Sequence, residues 1–212
     1  MKTLTTMFTC AAMVATGAAL AQTAEAPLTV DAVLTRFAAA VGGRDALTRV
    51  DRRFYDGMIV QDLSWTEPRH QETPFLATAD AGGLVRYAEA DAWSDLPDTV
   101  ATGLDTKLRW ILHPHFALRV EEFFPHLSVS GREIREGRPV VVLAPRDLRF
   151  AHYALCFDEE SGLLTHVGYY VRLEDWREED GVLYPHRWVF SRKGGHTTYV
   201  VAEMGTGPAP GP

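Results

Sequence analysis

The sequence predicts an α+β fold: a strongly curved antiparallel sheet of about 8–11 strands, an unclosed β-barrel, covered by a few helices. Three observations lead there. Apolar residues recur at spacings of three and four before residue 50. After Asp51 the apolar period changes to two and stays there. Short Gly- and Asp-containing segments then separate successive β-type runs, which makes sequential strands antiparallel neighbours.

The N-terminus reads as an export signal over residues 1–21. Lys2 supplies a positive charge, Met7 to Leu20 carries none, and Ala19 and Ala21 form the small-x-small pattern of a signal peptidase site. That charge-free run has 14 residues, short of the roughly 20 a helix needs to span a bilayer. Cys10 lies too early, and without the right neighbours, for a lipoprotein signal. Cleavage after Ala21 would leave one β-rich domain over residues 22–204 and a Gly- and Pro-rich tail, 205–212, expected to be disordered. Cys156 would then be the sole cysteine, and Ala154, Leu155 and Phe157 around it argue for burial. The full chain has a formal charge of −7, which loss of Lys2 takes to −8. Such a balance disfavours nucleic acid and anionic membrane surfaces as partners. No later run is apolar enough for an integral membrane segment.

Each element follows in order. Val33, Leu34, Phe37, Ala38 and Val41 share one face of a helix that Thr29 can cap and Gly42-Gly43 stops, with Arg44–Val50 as a second short turn or helix. Strands are expected at Arg53–Asp62, Phe75–Thr78, Leu84–Ala90 and Lys107–Leu112. A helix over Phe116–Phe124 places Phe116, Val120, Phe123 and Phe124 on one face and ends at Pro125. Further strands are expected at Val140–Ala144, Arg149–Phe157, Leu163–Leu173, His186–Arg192 and Thr197–Met204. Turns at Asp158–Gly162, Glu179–Gly181 and Lys193–Gly195 make the C-terminal half a meander.

Several of these segments together carry a family pattern. A helix ends in Ala39-Ala40-Val41-Gly42-Gly43, and Leu47-Thr48-Arg49-Val50 leads into a strand containing Gly57. Glu136-Gly137-Arg138-Pro139 precedes an apolar strand. Phe157-Asp158-Glu159-Glu160-Ser161-Gly162-Leu163-Leu164 and Glu179-Asp180-Gly181-Val182-Leu183-Tyr184-Pro185 follow. The layout resembles the periplasmic outer-membrane lipoprotein carriers, the lipoprotein-sorting fold. That resemblance implies an unclosed barrel lidded by helices over an apolar cavity for acyl chains, and implies no particular functional residue. The middle third departs from it: Gly103–Trp110 lacks the expected Gly-Trp strand, and Trp110–Phe124 is rich in His and Phe.

Chemistry-bearing residues are few. His113-Pro114-His115 would put two imidazoles on one strand face roughly 6–7 Å apart, a weak metal candidate that His126 and Glu121 or Glu122 could complete. Pro114 breaks that geometry, and no HExxH spacing accompanies it. His152 and Cys156, with Asp158, lie on one strand but ~13 Å separates the first two, against the ~3 Å a proton transfer needs. Glu159-Glu160 and Glu178-Glu179-Asp180 read as solvated hairpin tips. No nucleophile elbow, phosphate loop or dinucleotide fingerprint occurs, and no cofactor is expected. Large aromatics are abundant: Trp65, Trp93, Trp110, Phe116, Phe123, Phe124, Phe150, Tyr153, Trp176 and Trp188.

The leading expectation is a non-catalytic periplasmic or secreted protein that binds or carries a lipid, or a lipid-modified partner, between sheet and helices. Trp110, Leu112, Phe116, Val120, Phe123, Phe124 and Leu127 are the candidate cavity residues. An interaction module with a filled core is the alternative, and a metal-dependent enzyme built on His113 and His115 the third reading.

Overall fold

A computed structural model describes residues 28–64, 69–83, 85–89, 92–95, 109–146 and 153–207. The expected signal peptide, His152, Trp65, Phe150, the Trp93 side chain and most of the expected tail lie outside the described residues.

The first helix, α1 (Val30–Ala40), forms as its spacing predicts. The Thr29 hydroxyl accepts the Ala32 N–H at 3.1 Å, and Asp31 sits favourably in the first turn. Val33 and Phe37 are its buried face. Gly42, at φ +122°, turns the chain into α2 (Gly43–Leu47). A side chain at Gly42 would stand 2.4 Å from the Gly181 carbonyl oxygen, so this close approach also requires glycine.

Eleven strands form one antiparallel sheet: β1 (Arg52–Leu63), β2 (Arg69–Asp80), β3 (Val85–Glu89), β4 (Ala92–Asp95), β5 (Leu127–Arg135), β6 (Arg138–Pro145), β7 (Leu155–Asp158), β8 (Leu164–Val167), β9 (Val171–Glu179), β10 (Val182–Arg192) and β11 (Gly195–Thr206). The spatial order is β4-β3-β2-β1-β11-β10-β9-β8-β7-β6-β5. Since β4 and β5 end that order without pairing, the sheet is not closed into a barrel. The three expected hairpin turns are present. Asp180 and Gly181, both at positive φ, join β9 to β10, and Asp158 Oδ1 caps its own turn by accepting from Glu160 N, Ser161 N and Ser161 Oγ.

Four sequence expectations are corrected. Residues 109–112 are helical, not strand. The expected strand Leu163–Leu173 is two strands, because Gly168, Tyr169 and Tyr170 form a turn. The helix over Phe116–Phe124 is broken: a 3-10 turn (Phe116–Leu118) and the short α3 (Val120–Phe123) flank non-helical Arg119. Part of the expected tail is ordered strand, since β11 runs to Thr206.

One face of the curved sheet holds the core. Tyr55, Ile59, Phe75, Trp188 and Tyr199 are buried there, in edge-to-face and tilted ring contacts such as Tyr55–Trp188 at 5.8 Å and Phe75–Tyr199 at 5.4 Å. The opposite face carries a small second cluster of Val140, Val142 and Cys156. Among the described residues no helix is long and apolar enough to cross a membrane.

Candidate functional site

The site is built where α1 and residues 109–124 lie over the concave face. Phe37 projects from the middle of α1 and touches Phe157 of β7 at 5.3 Å, Phe116 at 6.2 Å and Trp176 of β9 at 6.3 Å between ring centroids. Trp110 packs on Phe116 at 4.9 Å and on Phe124 at 5.5 Å. Leu112 is fully buried and Val120 nearly so. Phe123, partly buried, packs edge-on against the His113 ring at 5.5 Å. All seven cavity candidates thus belong to, or lie against, one apolar cluster.

Three of them hold other positions than the sequence suggests. Trp110 and Leu112 do not share a strand face; two residues apart on a helical turn, they point about 200° apart, and both are buried because the turn is covered on every side. Leu127 belongs to no lid: it is the first residue of β5 and pairs with Pro145.

The cover is held by side-chain bonds to carbonyls. The Tyr55 hydroxyl donates to Leu112 O at 2.8 Å, and the Tyr184 hydroxyl to Pro114 O at 3.2 Å. Arg109 donates to Gly83 O at 2.8 Å and Arg119 to Ala81 O at 3.3 Å. The room left beneath it, bounded by Phe37, Phe116, Trp176, Tyr184 and Pro185 among others, is about 30 Å³, enough for one or two waters. A second, larger cleft of about 420 Å³ opens where β8 and β9 part after pairing only at His166–Arg172 and Val167–Val171. Arg135, His166 and Arg172 line it, and Leu173 and Trp176 are shared between cleft and cavity.

Arg53, which the sequence reading passed over as a strand end, is buried on this concave face with the parity of Tyr55 and Ile59. Its guanidinium carbon stands over the Tyr184 ring, 3.8 Å from the centroid. Among the described residues none of its three side-chain nitrogens meets a hydrogen-bond partner in full geometry. Period-two alternation was the signal that could have found it: in β1 residues 53, 55, 57 and 59 face one way.

The candidate metal ligands His113 and His115 do not assemble a metal set among the described residues. His113 Nδ1 accepts the His115 backbone N–H at 3.0 Å, and its Nε2 sits 2.8 Å from an Arg119 nitrogen, where a cation already stands. Burial first, then the Arg119 charge, pushes the His113 pKa down to about 4. Glu122 is taken by Arg119 at 2.5 Å, while Glu121 and His126 are exposed. Among the described residues no three His, Cys, Asp or Glu side chains are placed to hold a metal ion. Cys156 is fully buried, and burial raises its thiol pKa. Glu159 pairs with Arg132 at 2.6 Å, and Glu179 approaches the buried His186 ring at 3.6 Å.

No protein-family model matches the chain, and none of the curated proteins does. Solved structures do match. A DUF1329 family protein from Desulfovibrio piger aligns with a TM-score of 0.50 at 9% identity, covering 86% of this chain and 95% of its own. A domain assigned to outer membrane lipoprotein sorting, from Vibrio parahaemolyticus, aligns with a TM-score of 0.50 at 8% identity, covering 85% and 93%. At these identities the likeness is one of fold alone, shared with the DUF1329 protein and the lipoprotein-sorting domain.

Proposed function

We propose that this chain is an exported envelope protein that binds an acyl chain, free or on a lipid-modified partner, between the concave face of its sheet and the 109–124 cover. The observation that carries this reading is the contrast between wall and cover. The wall is an aromatic-lined sheet, while the described part of the cover consists of short helical stretches tethered through tyrosine and arginine side chains. Helical turns this short have little stability of their own, so the cover can lift without disturbing the strand ladder. The likeness to a lipoprotein-sorting domain supports the same reading at the level of fold, and the N-terminal Lys2, charge-free run and Ala19-Leu20-Ala21 support export.

The small volume beneath the cover favours a second reading, an interaction module whose core stays filled. A fluorescent fatty-acid probe separates the two. A carrier binds it with a dissociation constant near the micromolar range, about −8 kcal/mol, and quenches or shifts the emission of Trp110 or Trp176. An interaction module shows no saturable binding at tens of micromolar.

A further inference from the structure

We infer that Arg53 is an anion subsite for the polar end of the ligand, so that the chain takes amphiphiles carrying a carboxylate or phosphate rather than neutral lipids. This rests on the carrier reading above and names its ligand class.

The argument begins with where the charge lies. Arg53 is 0% exposed, and a guanidinium stays protonated inside a protein. Burying such a charge without a counter-charge or hydrogen-bond acceptors is strongly unfavourable, and strand positions normally avoid it. Stacking over Tyr184 satisfies only the face of the group. Among the described residues no full hydrogen bond meets its N–H groups, and the Tyr184 hydroxyl oxygen, a neutral group, is an acceptor they approach. Neither neighbouring phenol supplies the missing charge, since burial raises the pKa of both Tyr55 and Tyr184 and keeps them neutral. Their hydroxyl protons are already committed to the carbonyls of Leu112 and Pro114 in the cover.

Position supplies the second argument. Tyr184 is at once the stacking partner of Arg53 and a wall of the space beneath the cover. The carbonyls of Leu112 and Pro114 tie the cover down at Tyr55 and Tyr184, on the Arg53 side of the sheet. When this segment lifts, the first group uncovered beyond the aromatic wall is a cation whose fork matches two oxygens of a carboxylate or phosphate. An acyl chain lying among Phe37, Phe116 and Trp176 would have its head there.

The test compares laurate, methyl laurate and inorganic phosphate on the wild type, Arg53→Met and Arg53→Lys, by displacement of a fluorescent probe and by thermal unfolding. The wild type is expected to bind laurate at least about tenfold more tightly than its methyl ester. Arg53→Met should bring the two within about threefold while ester binding persists, and it should raise the melting temperature of the ligand-free protein by removing an uncompensated charge. Arg53→Lys, with the charge but not the fork, should keep part of the preference. Stabilisation by phosphate alone, lost in Arg53→Met, would identify the ligand as a small anion and overturn the amphiphile assignment. Equal binding of acid and ester to the wild type, or an undiminished preference in Arg53→Met, overturns the subsite and leaves the carrier reading standing. Binding of none of the three sinks both.

Discussion

His113 and Arg119 meet nitrogen to nitrogen, 2.8 Å apart, on the underside of the 109–124 cover. The guanidinium can only donate, so a neutral His113 ring keeps one acceptor contact at a time. Nδ1 takes the His115 N–H when the ring proton is on Nε2, and Nε2 takes an Arg119 N–H when it is on Nδ1. Glu122, held by Arg119, offsets part of the guanidinium charge. A second ring proton would remove the acceptor from both contacts and set two cations against each other.

Acid should therefore loosen the cover through His113. Its folded pKa of about 4 lies below the ordinary 6.5, so the unfolded chain takes up a proton first as pH falls. Stability is unaffected by this group above about pH 6.5, declines between there and about 4, and loses at most ~3 kcal/mol. Urea unfolding of wild type and His113→Gln at pH 7, 5 and 4 measures this. The wild type should lose more than the variant, and parallel pH profiles would refute it.

Cys156 should resist a polar alkylating reagent until the protein unfolds, because it is fully buried between Val140 and Val142 and its pKa is raised. Replacement by Ser should cost roughly 1–3 kcal/mol by burying a hydroxyl. Rapid labelling of the folded protein would contradict the packing of the convex cluster.

Gly57 should tolerate no side chain. It lies at the register shift between Asp56 and Gly57, where a Cβ would stand 2.1 Å from the Val200 carbonyl oxygen of β11. Backbone cannot yield as a side chain tip can, so Gly57→Ala should cost about 1–3 kcal/mol or more. A denaturation midpoint equal to wild type would mean the bulge relaxes freely.

Val120 discriminates between a liganded space and a solid core. It is 2% exposed at the start of α3. Under the carrier reading Val120→Trp should weaken fatty-acid binding by about tenfold or more while stability falls by roughly 1–3 kcal/mol. A stability loss of that size with probe affinity unchanged would place the ligand elsewhere.

Much of the architecture was legible because turn chemistry and apolar period agreed. Thr29, Gly42 and the turns at Gly162, Gly181 and Gly194 bound elements close to where they stand. Where those two signals conflicted, the reading failed. Strand β5 escaped notice because the register shift between Val129 and Gly131 interrupts its alternation, and its position at a sheet edge leaves Ile134 68% exposed. The run Leu108–Leu112 alternates well enough for a strand, but packing beneath Gly83 and over Phe116 makes its described part a helical turn. Strand β10 begins four residues before His186 because Pro185 sits inside it, paired with Trp176, where a proline normally argues against strand. Of the site, the aromatic clustering of Trp110, Phe116 and Phe124 was foreseeable. The isolation of Arg53 was not, since it depends on Tyr184, distant in sequence, and on its nitrogens meeting no full hydrogen-bond partner among the described residues.

The placement of β11 between β1 and β10 makes the last strand in sequence the keystone of the sheet. Before it docks, β1–β4 form one ribbon and β5–β10 another, each presenting a bare edge to the solvent. The two ribbons can therefore be joined through strand pairing only once residues 195–206 are in place. Such a pairing of far-apart segments slows folding and exposes the ribbons to misassociation. Truncation within β11 should accordingly yield insoluble protein rather than a shortened domain, and a chaperone that shields strand edges should matter more to this chain than to a sheet whose final strand lies at its border.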